Sequence, residues 1–244
     1  MNKAGSANYD VSSNGTLVYV PDFALAAGVP RRLLAVDLSG NSVPLIDDER
    51  DFWRPRISPD GGRVAVEVLQ PNFSPQVWIV DLAHRTLNPV GSSETSYPAW
   101  TPDGKSVIYR RGEGQFVRQP TDGGSGAQVL VDSPGSTFRV MDVSRDGVVS
   151  VAKGSPQDDI QTFHLGTGVM SGFLATPARE YMASFSPTAG GWRTPRTSLG
   201  ATKSMSGRFH ELRASRGSCR SAAGPDRCGH QTGPHCTIEA RLAT

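Results

Sequence analysis

The chain has 244 residues, 37% of them apolar and 20% charged, with 27 glycines and 18 prolines. Such a composition suits a packed core built from short strands and many turns, and no apolar run is long enough to predict a membrane-spanning helix. The formal net charge of +2 is split: nine Lys and Arg against three acids put +6 on residues 188–244 and leave −4 on residues 1–187.

Residues 1–10 are polar and lack the apolar centre of an export signal, so neither a signal nor an anchor is expected and the compartment stays open. The first predicted turn is Ser13-Asn14-Gly15, followed by strands over Gly15-Thr16-Leu17-Val18-Tyr19-Val20, Leu33-Leu34-Ala35-Val36-Asp37-Leu38 and Val43-Pro44-Leu45-Ile46. A second unit opens with Arg54-Pro55-Arg56-Ile57 and turns at Ser58-Pro59-Asp60-Gly61. Proline presets φ, aspartate can bond the local backbone, and glycine accepts positive φ. Arg63-Val64-Ala65-Val66-Glu67-Val68 then alternates as a half-buried strand would, with Val64, Val66 and Val68 on one face. Val77-Trp78-Ile79-Val80-Asp81-Leu82 follows, and Thr86-Leu87-Asn88-Pro89-Val90 suits an edge strand because it contains proline.

The third unit reads Tyr97-Pro98-Ala99-Trp100, a turn at Thr101-Pro102-Asp103-Gly104, then strands at 106–109, 115–118 and 128–131. The fourth has Arg139-Val140-Met141-Asp142-Val143, a turn at Ser144-Arg145-Asp146-Gly147, then strands at 148–151, 159–163 and 172–175. The turns recur every 43 to 46 residues, and four strands in about that length describe one blade of a β-propeller. A β-sandwich is the alternative, but it has no reason to repeat one turn in fixed register. The expected fold is therefore all-β: four-stranded antiparallel blades near 11–50, 51–92, 93–135 and 136–180, forming an incomplete ring. The recurring structural turn positions are Asn14, Gly15, Asp60, Gly61, Asp103, Gly104, Asp146 and Gly147.

Ser-Pro-Asp-Gly, a strand, then a Trp-Ile-x-Asp-Leu strand resembles the repeat of TolB-like propellers. The wording around Ser13 to Val20 and Tyr97 to Gly104 is similar to the C-terminal sensor propeller of bacterial membrane-anchored serine/threonine kinases. The resemblance covers about residues 8–187 and implies a six- or seven-bladed parent working outside the cytoplasm. It does not extend to the kinase: His84-Arg85-Thr86 lacks the catalytic aspartate, and Asp51-Phe52-Trp53 lacks the following glycine.

A fifth repeat starts at Tyr181, runs to Pro187, and breaks into Thr188-Ala189-Gly190-Gly191. One lost base in an aspartate codon converts P-D-G-R-R-V-A into the P-T-A-G-G-W-R found at Pro187 to Arg193, and the shifted frame downstream recovers further propeller-like sequence. Residues 188–244 are accordingly expected to be a frameshifted, disordered tail on a truncated propeller. Cys219, Cys228, His230, His235 and Cys236 then read as accidental neighbours, because their spacing fits no zinc pattern. The Arg-rich charge has the same origin, so no nucleic-acid partner is expected.

For residues 1–187 no G-x-S-x-G elbow, P-loop or metal pattern is found, and no cofactor or catalytic residue is expected. His84 and His164 fall at strand ends and read as solvated. Asp158-Asp159 reads as a solvated strand entry, and Gly123-Gly124-Ser125-Gly126 as a flexible connection. Aromatics with nearby arginine precede each innermost strand: Trp53 and Arg54, Tyr97, Phe138 and Arg139, and Tyr181. In a propeller these positions meet at one channel mouth, where aromatic and Arg side chains anchor partners; packing between blades is the competing role. The expected function is a non-enzymatic module that binds a protein or peptide. Two alternatives stay open: the propeller part of a prolyl-oligopeptidase-like hydrolase without its catalytic domain, and a non-functional frameshifted product. Open blade edges also predict self-association.

Overall fold

The computed structural model describes residues 8–12, 15–21, 28–37, 39–123, 126–154, 158–175, 179–180, 183–185, 191–198, 201–208 and 237–239, the stretches 179–180, 191–198, 201–208 and 237–239 by backbone alone. These residues form strands and turns, with no helix among them. The first blade is β1 (Tyr9–Val11), β2 (Leu17–Tyr19), β3 (Leu34–Val36) and β4 (Ser42–Pro44), each antiparallel to the next. The second is β5 (Asp51–Ile57), β6 (Arg63–Leu69), β7 (Pro75–Asp81) and β8 (Thr86–Pro89). The third is β9 (Thr95–Trp100), β10 (Ser106–Arg111), β11 (Gln115–Pro120) and β12 (Gln128–Asp132). The fourth is β13 (Phe138–Val143), β14 (Val148–Lys153), β15 (Asp159–His164) and β16 (Met170–Leu174). Innermost strands β1, β5, β9 and β13 touch in that order and line the channel of a propeller.

One turn builds each blade's inner hairpin. The hydroxyl of Ser12, Ser58, Thr101 or Ser144 accepts the amide that opens the second strand, at 2.9, 2.9, 3.0 and 2.9 Å, from Thr16, Arg63, Ser106 and Val148. The same hydroxyl donates back to that residue's carbonyl. Gly15, Gly61, Gly104 and Gly147 each take positive φ at the end of the turn. The first turn therefore starts at Ser12, one residue before the Ser13 expected from the motif, and its innermost strand Tyr9–Val11, three residues long, is too short for its alternation to signal it. Asn14 lies outside the described residues.

The cores lie between blades. Val18, Leu33 and Ile46 meet Phe52, Val64, Val66 and Val68 at the first junction. Ala65 and Val77 meet Trp100, Val107 and Tyr109 at the second. Ala99, Ile108 and Phe116 meet Phe138, Val149 and Phe163 at the third, where the Phe116 and Phe163 rings pack edge to face at 5.3 Å. Such a ring pair adds about 0.5–1.5 kcal/mol beyond its buried area. β6 is thus not half-buried: Val64 through Val68 are all buried, because each blade is covered on both faces. Outermost strands are exposed instead, and Pro44 and Pro89 sit there, where a missing amide costs least.

After the fourth blade, β17 (Arg179–Glu180) and β18 (Ser184–Phe185) both pair with β19 (Gly191–Ser198), which pairs with β20 (Ala201–Arg208), followed in parallel by β21 (Thr237–Glu239). Where composition predicts no regular structure beyond Ala189, the described backbone there is stranded; Pro187, Thr188 and the five tail Cys and His residues lie outside the described residues.

Candidate functional site

Three neighbouring innermost strands bring Asn8, Arg54 and Tyr97 side by side. Each stands four residues before its blade's turn hydroxyl. Arg54 and Tyr97 both adopt the left-handed region, with φ of 50° and 57°, at irregularities in the pairing of β5 and β9. Neither side chain gains from that conformation by itself, and strain of this kind costs about 1–3 kcal/mol per residue. It aims the two side chains at each other. The Arg54 guanidinium lies 4.2 Å from the centre of the Tyr97 ring and 3.4 Å from its hydroxyl. The Arg54 amide donates to Asn8 Oδ1 at 3.4 Å.

Glu67 holds the pair in place. This carboxylate is 5% exposed, accepts Arg54 Nη1 at 2.8 Å, and accepts the Tyr97 amide at 3.2 Å. Burial by itself would lower the Arg54 pKa, but Glu67 and Tyr97 outweigh it and hold the guanidinium above its ordinary value. Trp53, next along β5, donates its indole N–H to Asp51 at 2.8 Å and lies 5.3 Å from the Arg31 guanidinium, which is itself ion-paired to Asp51.

The structure therefore joins Arg54 and Tyr97, within strands rather than ahead of them, while the recorded partners of the Trp53 side chain are Asp51 and Arg31. Phe138 is fully buried in the third junction and Lys153 lies over its ring, so it packs between blades. Arg139 pairs with Asp158, whose side chain is 1% exposed; Asp158 is a buried counter-charge and not the solvated strand entry expected. Tyr181 lies outside the described residues. His84 sits in an exposed turn against Asp81, and His164, half-buried at the end of β15, accepts the Gly166 amide. Among the described residues no His, Cys, Asp and Glu group is arranged to hold a metal. Sequence reading missed Glu67, Asn8 and Arg110; a lone charge inside R-V-A-V-E-V-L was the available sign for the first.

Deeper in the channel, Asp10 accepts the Ile57 amide at 2.7 Å, and Arg56 reaches from the second blade to the Met141 carbonyl of the fourth at 3.4 Å. Burial raises the Asp10 pKa above the ordinary carboxylate range, against the opposing pull of Arg56.

No family model and no curated protein matches the sequence. Solved structures do. TolB from Acinetobacter baumannii superposes with a TM-score of 0.62 at 21% identity, over 78% of this chain and 48% of that one. The Agrobacterium tumefaciens protein assigned as TolB gives 0.66 at 14% identity, over 83% and 76%. A puromycin-hydrolyzing peptidase of Mycobacterium tuberculosis gives 0.62 at 16% identity, over 82% of this chain and 34% of that one. The fold is a TolB-like β-propeller. The chain spans about half the length of the Acinetobacter TolB and a third of the peptidase.

Proposed function

We propose that this propeller is a non-enzymatic sensor or scaffold module that seats a protein or peptide segment at the channel mouth. One observation carries the reading: Arg54 and Tyr97, at equivalent places in adjacent blades, share the same strained backbone and stack on each other beside Trp53. Strained backbone persists where surrounding contacts over-determine it, and such places cluster at binding and active sites. Aromatic and Arg side chains are also the residues that dominate binding energies. Panning a random displayed-peptide library on the full chain tests this. Enriched peptides should bind wild type and lose binding to Trp53→Ala/Arg54→Ala, compared at a temperature where circular dichroism shows the variant folded, because loss of the Glu67 counter-charge lowers its unfolding midpoint. If no peptide enriches above bare support, the reading fails.

A second reading, that the chain is the propeller part of a hydrolase, is favoured by the peptidase superposition. A G-x-S-x-G segment encoded downstream in the restored frame would select it; further S-P-D-G repeats would select the first. The same reading takes residues 188–244 as out of frame. Coding DNA with no missing base at the Thr188 codon would remove that part.

A further inference from the structure

Carboxylates stitch three of the blade boundaries, the first, the second and the one after the fourth blade. Asp10 accepts the Ile57 amide at 2.7 Å, Glu67 the Tyr97 amide at 3.2 Å, and Asp142 the Phe185 amide at 2.7 Å. Among the described residues the boundary between the third and fourth blades has no such bond. Glu67 lies opposite Trp53 in the β5–β6 pair, and Arg110 lies opposite Ser96 in the β9–β10 pair. Trp53 and Ser96 each stand five residues before the turn hydroxyl of their blade. Arg110 thus occupies in the third blade the place that Glu67 holds in the second, with the charge reversed.

The surroundings of Arg110 are unbalanced in the same sense. It shares the strand face of Ile108, which packs among Phe138 and Val140 of the fourth blade, so its side chain enters that junction. Its Nε is buried without a hydrogen-bond partner, and its guanidinium lies 5.5 Å from the Tyr97 ring centre. Directly across, the hydroxyl of Ser96, a residue 1% exposed, is also unpartnered. From the fourth blade Lys153 stands opposite Phe138, on the face that meets the third blade, with its ammonium 5.4 Å from that ring. The nearby acids are engaged: Glu67 with Arg54, and Asp158 with Arg139. Neither Arg110 nor Lys153 forms an ion pair among the described residues.

We propose that this junction is a carboxylate-binding site, which takes an acidic side chain or the free C-terminus of a peptide lying across the mouth. The proposal rests on the peptide-binding reading above and names its ligand chemistry. A carboxylate is acceptor-only, matches the guanidinium edge, and can also take a hydroxyl and an ammonium proton. Water would satisfy the hydrogen bonds and leave two cations uncompensated. The second blade contains the same solution internally, in Glu67 bound to Arg54.

The test uses the peptides enriched on the full chain. Asp, Glu or a free C-terminus should dominate among them. In fluorescence anisotropy, the best peptide should bind about tenfold more weakly once its carboxylates are changed to amides, the loss of one charged pair. Arg110→Gln and, separately, Lys153→Gln should produce a similar loss for the acidic peptide and none for the amide form. Circular dichroism melts of both variants establish that each is folded, and agreement between the two sites guards against a local packing defect in either. Enriched peptides without acidic bias, still dependent on Trp53 and Arg54, overturn this inference and leave the peptide-binding reading standing. Competition by inorganic phosphate alone, with no peptide selectivity, also overturns it. Absence of any enriched peptide overturns both.

Discussion

Arg139 shows how much one residue of the ring can matter. Its partner Asp158 is buried almost completely, so Arg139→Met leaves a carboxylate without its counter-charge and is expected to cost about 3–5 kcal/mol by urea unfolding. Gly112 and Gly114 give a cleaner contrast. Both have positive φ, but a Cβ on Gly112 meets open space, whereas one on Gly114 would lie 2.5 Å from the Ser133 carbonyl oxygen. Gly112→Ala should cost about 1 kcal/mol from conformation alone, and Gly114→Ala clearly more, because backbone must move. Asp10 is legible in its pH response. Its folded pKa lies above the unfolded value of 3.8, so its contribution is fully present below that value and is lost as pH rises through the folded pKa. Asp10→Asn should therefore gain stability relative to wild type between acid and neutral pH; a pH-independent difference would contradict the burial of Asp10.

At the scale of elements, the repeating turn has an electrostatic signature. Asp60 and Asp103 accept the Ser58 and Thr101 hydroxyls and a local backbone amide, and these bonds hold both carboxyls below their ordinary range. Their contribution is present above pH 3.8 and is lost as pH falls below it, so Asp60→Asn/Asp103→Asn should flatten the acid limb of a stability–pH curve. This element was readable because its chemistry is local: Ser58-Pro59-Asp60-Gly61 encodes its own hydrogen bonds. Strands β5 to β16 were readable for the same reason, through alternation bounded by turns. The mouth was readable only in part. Trp53, Arg54 and Tyr97 are near one another because two strands bulge at matching places, and no residue type announces a left-handed Arg or Tyr. Phe138 stands six residues before its turn hydroxyl, the place of Phe52 in the second blade, and like Phe52 it is buried in a junction. Glu67 and Asp158 are pairing partners across strands, which a one-dimensional pattern does not display.

For the whole molecule, the superpositions agree with the turn spacing on a β-propeller fold, like that of TolB. The first blade leaves Tyr9 50%, Val11 52% and Val43 57% exposed, apolar surface on its innermost and outermost strands. Self-association through that blade is expected, and size-exclusion chromatography should show a concentration-dependent shift to larger species; a clean monomer at all concentrations would count against it. Function hangs on the mouth. The most direct test is anisotropy of a library-selected peptide against wild type and Trp53→Ala/Arg54→Ala. The account predicts saturable binding to wild type and a loss of tenfold or more, about 1.4 kcal/mol, in a variant that circular dichroism shows to be folded at the assay temperature. Equal binding to both proteins would contradict it.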